Sequence, residues 1–539
     1  MSLSRMLVGC LALAGMAAPG RPAKAQHEHG GDVPLPPEFH QPMPLYRSAL
    51  GPYGRGITTP SADAQAFFDQ GMQFVFAFTL GDAARSFREA QKLDSTCAMC
   101  YWGEAYAWGP YLNGDMDSED APRAHAAISR AVVLAPRATP VEQALIQAMH
   151  ARYQPTHDPR RRERLDSAYA QAMARLHRLY PDDNDVGTLY AEALMLLEPR
   201  RGNWSDDKPA VRLIHQTLEG VLGRDLSHPG ACHLYIHATE STTRPGRAEA
   251  CADLLGLAIP GASHINHMPS HTYNRIGRWG DAVRANIHAW HSDQKAEIGE
   301  GFAIYPSHNL HMLLFAASMD GQGAVAIQAA RDYAAITEGG AALQGMVLVR
   351  FGRFDDILSL TQAPRQPVLR GFWAFARGYA HLRRGDGDSA GFYAAQVDSL
   401  ARLPDSVAFR GHPARQLLGV TGGILRAEMA RTAGRNEDAI RALERAVALE
   451  DSLRYDEPEP LNFSARQWLG SALLEANRPA DAERVYRAAL EDHPHTGWNL
   501  MGLEQSLRAQ GRAQEAEQAR EAFTRAWARS DTWLRSSRF

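Results

Sequence analysis

FFDQGMQFVFAFTLGDAARSFREAQKLDS, residues 67–95, is the stretch whose reading decides the fold. Phe67, Gly71 and Phe74 recur at steps of four and three, and so do Ala83, Phe87 and Ala90, with a Thr-Leu-Gly break between the two sets. Such steps put each set on one face of a helix, so the segment reads as two short helices joined by a tight turn. Small residues let antiparallel helices approach, and large ones fill the gap to the next hairpin. The same frame returns along the chain. Ala124, Ile128, Ala131 and Pro136 fit a second helix and its terminator. The small residue reappears at Ala248, Ala282, Ala326, near Ile357 and Ala390, and at Ala439, Ala482 and Ala516. Gly277-Arg278, Gly352-Arg353, Gly434-Arg435 and Gly511-Arg512 mark turns between helices.

These intervals resemble the 34-residue signature of the tetratricopeptide-repeat (TPR) superfamily. The resemblance implies an all-α, TPR-like α-solenoid: a right-handed superhelix of about ten antiparallel helix hairpins around an inner groove. Residues 61–138 read as N-terminal TPR-like repeats and 139–227 as irregular helical repeats of unfixed register. Residues 228–337 read as histidine-rich central repeats and 338–539 as C-terminal TPR repeats. Repeats of this length leave no room for a separate catalytic domain, so any activity sits in the groove or in the loops 291–306 and 452–462.

Ahead of the repeats, MSLSRM, the apolar run LVGCLALAGMAAP and GRPAKA have the three zones of a secretory signal, with a cut after Ala25. The expectation is a signal peptide over 1–25 and a periplasmic or secreted mature chain. Residues 26–60 are rich in Pro and Gly and read as an extended leader, with His27 and His29 as solvated tail residues. No later run approaches the length of a membrane span. Loss of Arg5, Arg21 and Lys24 takes the formal charge from −4 to about −7, which argues against nucleic acid as the main partner. Export permits disulfides. Cys232 and Cys251 fall on the two helices of one hairpin and are candidates for one, while Cys97-Ala-Met-Cys100 reads as a disulfide, a redox pair or two buried thiols.

Histidine decides where function is sought. In a frame starting at residues 229, 263 and 307, His264 and His308 take position 2, while His233, His267 and His311 take position 5. His237 and His271 take position 9, and Glu240 and Asn274 position 12. At about 100° per residue these positions share one face of the first helix, turned away from the packing positions. Twelve such positions would hold about half a histidine at the chain's frequency of 22 in 539, and seven hold one.

Neutral imidazole suits Zn, Cu or Fe, and three such ligands with an open position are the makings of a catalytic site. His233, His237, His264, His267, His271, His308 and His311 are therefore candidate metal ligands. Glu240 is a candidate ligand, orienting group or base. A second reading is a polar groove that binds a carboxylate, phosphate or peptide through His271, Asn274, Arg275 and Asn309. A third makes some of the imidazoles buried structural caps. Trp102 and Tyr106 fall at groove positions 5 and 9 of the second repeat and read as an aromatic ligand wall or as ordinary core. Asp456, Glu457 and Glu459 read as a solvated turn in preference to a loop over the groove.

The chain also resembles a narrower group of exported bacterial TPR proteins. The likeness rests on HLYIH (233–237), HMPSHTY (267–273) and YPSHNLH (305–311), with FFDQG, SFREAQKLD and CAMCYWGEAYAWGP near the N-terminus and YDEPEP and QSLRAQGR near the C-terminus. It implies the fold and supplies no activity. Cys100 departs from the group's single Cys in the CAM segment, so the likeness gives the cysteine pair no shared role. The expected function is an exported TPR scaffold that binds a protein, peptide or small molecule in its concave groove, with a histidine-lined transition-metal site in the central repeats. The alternative is a metal-dependent enzyme, a Zn hydrolase or a Cu/Fe oxidase, with its active site in the groove.

Overall fold

Side chains that hydrogen-bond to the first exposed backbone N–H groups start several of the helices, as the sequence demands of a chain built from short ones. Ser61 accepts from Ala64, Asp183 accepts from Val186, and Thr139 with Glu142 and Ser464 with Gln467 form reciprocal capping boxes. The computed structural model describes residues 35–199 and 204–539, so the signal segment, His27 and His29 lie outside the described residues.

Among the described residues, twenty-five α-helices follow one another in antiparallel pairs, and the only sheet is a two-stranded hairpin at 408–413. The molecule is an all-α, TPR-like solenoid of twelve hairpins, the first helix of the sixth being split at Pro269 into Ser263–His267 and Pro269–Ile276. Two of the twelve come from the irregular region, Pro140–His150 with Pro159–Leu179 and Asn184–Met195 with Pro209–Arg224. Pro159–Leu179 runs to 21 residues, longer than a regular repeat allows, which is why the frame is lost there.

The residues that carried the pattern carry the packing. Phe87 is fully buried between Gly71 and Gly103, on the first helices of its own and the next hairpin, and a Cβ on either glycine would overlap its ring. Tyr486 is gripped in the same way by Gly470 and Gly502 near the other end of the chain. Ala248, Ala282, Ala326, Ala390, Ala439, Ala482 and Ala516 are all buried. Gly277, Gly352, Gly434 and Gly511 have φ of 65–77°, the left-handed conformation that ends a helix at little cost only in glycine.

The solenoid curls until distant repeats meet. Helix Ala62–Phe76 touches Pro229–Thr239, and Gly497–Ala509 touches Pro306–Asp320. Trp498 Nε1 donates to Ser318 O at 2.9 Å, and Arg529 pairs with Asp320 at 2.7 Å. The central repeats are therefore covered from both sides. Every residue of Pro229–Thr239 is buried, the state of a helix inside a core rather than on a groove wall.

The described part of the leader, residues 35–60, is docked rather than loose. Apart from a turn at Pro37–His40 these residues form no helix. Gln70 accepts from Tyr46 N at 2.9 Å, Gln73 accepts from Gly51 N at 2.8 Å, and Gly261 N donates to Ala49 O at 2.8 Å. Arg55 reaches Asp183 at 2.9 Å and Asp185 at 2.6 Å, so the segment straps the first hairpin to the fourth and sixth. Disulfides join Cys97 to Cys100 and Cys232 to Cys251. The second ties helix Pro229–Thr239 to Glu249–Leu255. No helix among the described residues is long and apolar enough to cross a membrane.

Candidate metal centre

Helices Pro229–Thr239, Ser263–His267 with Pro269–Ile276, and Pro306–Asp320 are the first helices of three successive hairpins, and their histidines meet in two groups of three. One group is His233, His237 and His264; the other is His267, His271 and His308. Within each group the ligand atoms lie within 4.8 Å of one another.

In the second group three Nε2 atoms converge. His271 Nε2 is 2.7 Å and His308 Nε2 is 3.1 Å from His267 Nε2. The opposite ring nitrogens fix the tautomers. Asn286 donates through Nδ2 to Ala282 O at 2.8 Å, which leaves its Oδ1 to accept from His267 Nδ1–H at 2.8 Å. His271 Nδ1 faces two carboxylates, Glu240 at 2.5 Å and Glu457 at 3.0 Å, and carries a proton toward them. Where His271 also carries a proton on Nε2, it donates to the lone pair of His267 Nε2, and a metal ion that displaces this proton meets Nε2 atoms that already converge. A metal bound at about 2.0–2.1 Å holds tetrahedral nitrogens about 3.3 Å apart, so small outward ring movements admit one.

The first group is anchored in the same manner. His233 Nδ1 donates to the Phe76 carbonyl at 2.6 Å, and its Nε2 lies 3.1 Å from His264 Nε2. His237 Nδ1 donates to Glu240 Oε1 at 3.0 Å. The Phe78 ring lies over this triad, with centroids 4.4 Å from His233 and 5.3 Å from His264.

Electrostatics follow from burial. Desolvation, joined by the neighbouring imidazoles, holds His264, His267 and His308 well below the ordinary histidine pKa. Burial works the same way on His271, but Glu240 and Glu457 outweigh it and raise its pKa to about 10. One positive charge thus belongs at His271 beside neutral His264, His267 and His308.

The triads border a cavity of about 240 Å³ lined by Asn113, His237, His264, His271, Tyr305, His308, Arg410 and Glu457. Phe78, Tyr305 and Arg410 hold φ of 52–61° without being glycine. Such left-handed residues cost about 1–3 kcal/mol each and persist where the surroundings demand them.

Several expected site residues lie elsewhere. His311 is buried against Tyr333, with centroids 5.7 Å apart, and belongs to neither triad. Burial and Arg410 push its pKa down to about 3. Its helix carries Phe315 at the position where the two preceding helices carry His237 and His271, so the pairing stops there. Asn309 is fully buried and donates to Asp293 at 2.8 Å, which joins two helices and presents nothing to a ligand. Trp102 and Tyr106 close the interior instead of lining a groove: Trp102 Nε1 donates to Leu145 O at 3.2 Å, and Tyr106 OH donates to Glu192. Asn274 and Arg275 border a separate cavity of about 40 Å³ behind His271, and Arg275 Nε donates to Glu240 O at 3.1 Å.

The acidic loop is no solvated turn. Glu457 sits on His271, Asp456 binds Arg410 at 2.6 Å, and Glu459 accepts from His493 at 2.9 Å. Asn286, Phe78, Tyr305 and Arg410 were not singled out from the sequence. Of these, Tyr305 opens YPSHNLH and Phe78 lies within the stretch 67–95 that set the fold.

No family model matches the sequence, and no curated protein matches it. Among solved structures, the crystal structure of the P58(IPK) TPR domain is 12% identical, covering 84% of this chain and all of that one, with a TM-score of 0.21. The structure of Naa15/Naa10 bound to HypK-THB is 12% identical over 86% of this chain and 71% of that one, with a TM-score of 0.23. The human IFIT1 dimer with m7Gppp-AAAA is 10% identical over 87% of this chain and 91% of that one, with a TM-score of 0.28.

Proposed function

We propose that this chain is an exported TPR-type scaffold that binds a transition metal ion (Zn, Cu or Fe) at His267, His271 and His308 and presents it to a peptide or small molecule in the adjoining cavity. One observation carries the reading: three Nε2 atoms converge while Asn286, Glu240 and Glu457 fix the opposite nitrogens of two of the rings. Carboxylates and amides that bind the far nitrogen of an imidazole are the usual outer support of a metal ligand. The two disulfides support export to an oxidising compartment, in keeping with the signal-like N-terminus and the resemblance to exported bacterial proteins.

Elemental analysis of protein purified with metals available tests this. About one or more equivalents are expected, with the metal at this triad lost in the His267→Ala plus His271→Ala variant. A metal-free wild type overturns the reading.

A metal-dependent enzyme, hydrolase or oxidase, is the second reading. It is favoured by the polar cavity beside a three-histidine site, where Glu457, Tyr305 and Arg410 offer acid, base and charge. Both readings need an open coordination position, so turnover separates them. Hydrolysis or oxidation by the metal-loaded protein that is lost in His267→Ala plus His271→Ala supports the enzyme, and ligand binding without turnover supports the scaffold.

A further inference from the structure

The two triads are one construction made twice. His233 and His237 occupy positions 5 and 9 of the fifth hairpin and take their third member, His264, from position 2 of the sixth. His267 and His271 occupy positions 5 and 9 of the sixth and take His308 from position 2 of the seventh. The outer supports repeat as well. At position 5, Nδ1 donates to a neutral oxygen: Phe76 O for His233 and Asn286 Oδ1 for His267. At position 9, Nδ1 faces the carboxylate of Glu240, which serves His237 and His271 at once. One step along the solenoid carries the first site onto the second.

The two sites also touch. Ring centroids are 5.8 Å apart between His237 and His271, and 5.8 Å between His264 and His267. Rings in contact across the two triads make these neighbouring sites, and two-metal centres hold their ions about 3.5–4 Å apart.

Charge restricts which ions fit. Once His271 gives up its extra proton to a metal, the six ligands act as neutral imidazoles, and the carboxylates facing them are Glu240 and Glu457. Arg410 is committed to Asp456, and Glu459 to His493, so these pairs cancel, while Arg275, which donates to Glu240 O, offsets part of the remaining negative charge. At most two negative charges then face the two ions, so two monovalent ions are compensated far better than two divalent ones in a buried site, where uncompensated charge is costly. Among metals suited to imidazole, copper provides a monovalent state.

We infer that His233, His237 and His264 form a second metal site adjoining the first, and that the pair is built to hold two copper(I) ions. The inference rests on the proposed site at His267, His271 and His308, and the test separates the failure of each.

Full-length protein is titrated anaerobically with copper(I) from a chelator buffer of known affinity, and separately with zinc(II). Two equivalents of copper(I) and one of zinc are expected. His264→Ala and His308→Ala should each keep one copper. Because either variant can disturb folding, X-ray absorption on the wild type loaded with two equivalents supplies a second reading: nitrogen-donor shells and a copper neighbour within about 4 Å. A single copper in the wild type overturns this inference and leaves the first site standing. No bound copper or zinc removes both. Two coppers retained by folded His264→Ala, two zinc ions bound as tightly as two copper(I), or the absence of a copper neighbour also overturns it.

Discussion

Glu457 Oε2 stands 3.0 Å from His271 Nδ1, so the loop between the tenth and eleventh hairpins closes on an imidazole of the sixth. The contact exists because the solenoid turns back on itself, which makes the histidine centre a property of the whole curl and not of three repeats alone.

Replacement of Glu457 should therefore weaken metal binding without removing a ligand. In Glu457→Gln, affinity for zinc measured by chelator competition is expected to fall about 10- to 100-fold, the range for loss of a group supporting a ligating histidine. The zinc stoichiometry should not change. Undiminished affinity would show that the loop merely covers the site.

The leader offers a second test. Arg55 binds Asp183 and Asp185, and Asp185 also accepts from Tyr53 OH and faces His228 Nε2 at 3.1 Å. Burial alone would raise the Asp185 pKa, but His228, Arg55 and Tyr53 hold it well below the usual carboxylate range. Arg55→Ala strips one partner from a buried ion and should cost about 3–5 kcal/mol. Urea unfolding measures that loss, and limited proteolysis should cut within residues 35–60 in the variant before the wild type. Equal cleavage rates would mean that other contacts hold the strap.

The Cys232–Cys251 bridge closes a span of 19 residues and fixes the helix that carries His233 and His237. The Cys232→Ser plus Cys251→Ser variant should lose about 3 kcal/mol by the loop-entropy relation. Read by urea denaturation in chelator, that loss should exceed the one in Cys97→Ser plus Cys100→Ser, whose loop spans only three residues. The reverse order would place the stabilisation in native packing and not in the loop.

Periodicity made the hairpins legible, because Phe87, Gly71 and the buried alanines obey local spacing that any single repeat reveals. It also picked out the six histidines that meet, since equivalent positions on stacked helices project to one side. It failed for His311, whose fate depends on Phe315 one turn later, and for Asn309, which spacing alone cannot distinguish from a groove donor. Trp102 and Tyr106 were misplaced for a longer-range reason: the groove they were to line is closed by the curl of the chain, and repeat spacing carries no measure of curvature. Glu457, Phe78 and Arg410 come from other hairpins altogether, and only the tertiary path brings them to the imidazoles.

A last expectation concerns pH and lies away from the histidines. Glu450 accepts from Ser464 Oγ at 2.9 Å and from Ala465 N at 3.1 Å, where the eleventh hairpin begins. Burial raises its pKa from 4.5 to about 7, with Glu459 adding to the rise, against the hydrogen bonds from Ser464 and Ala465 and the attraction of His493. Arg466 lies 3.9 Å away. An acid whose folded pKa is raised keeps its proton in the folded state after the unfolded chain has released it. Stability is then fully present below about pH 4.5 and declines as pH climbs through about 7. The shift corresponds to a loss of about 2–3 kcal/mol across that window. Glu450→Gln cannot ionise, so urea unfolding in chelator should show wild type losing about 2 kcal/mol relative to the variant between pH 5 and 8. Parallel pH profiles for the two proteins would mean that Glu450 is already ionised in the folded state at pH 5.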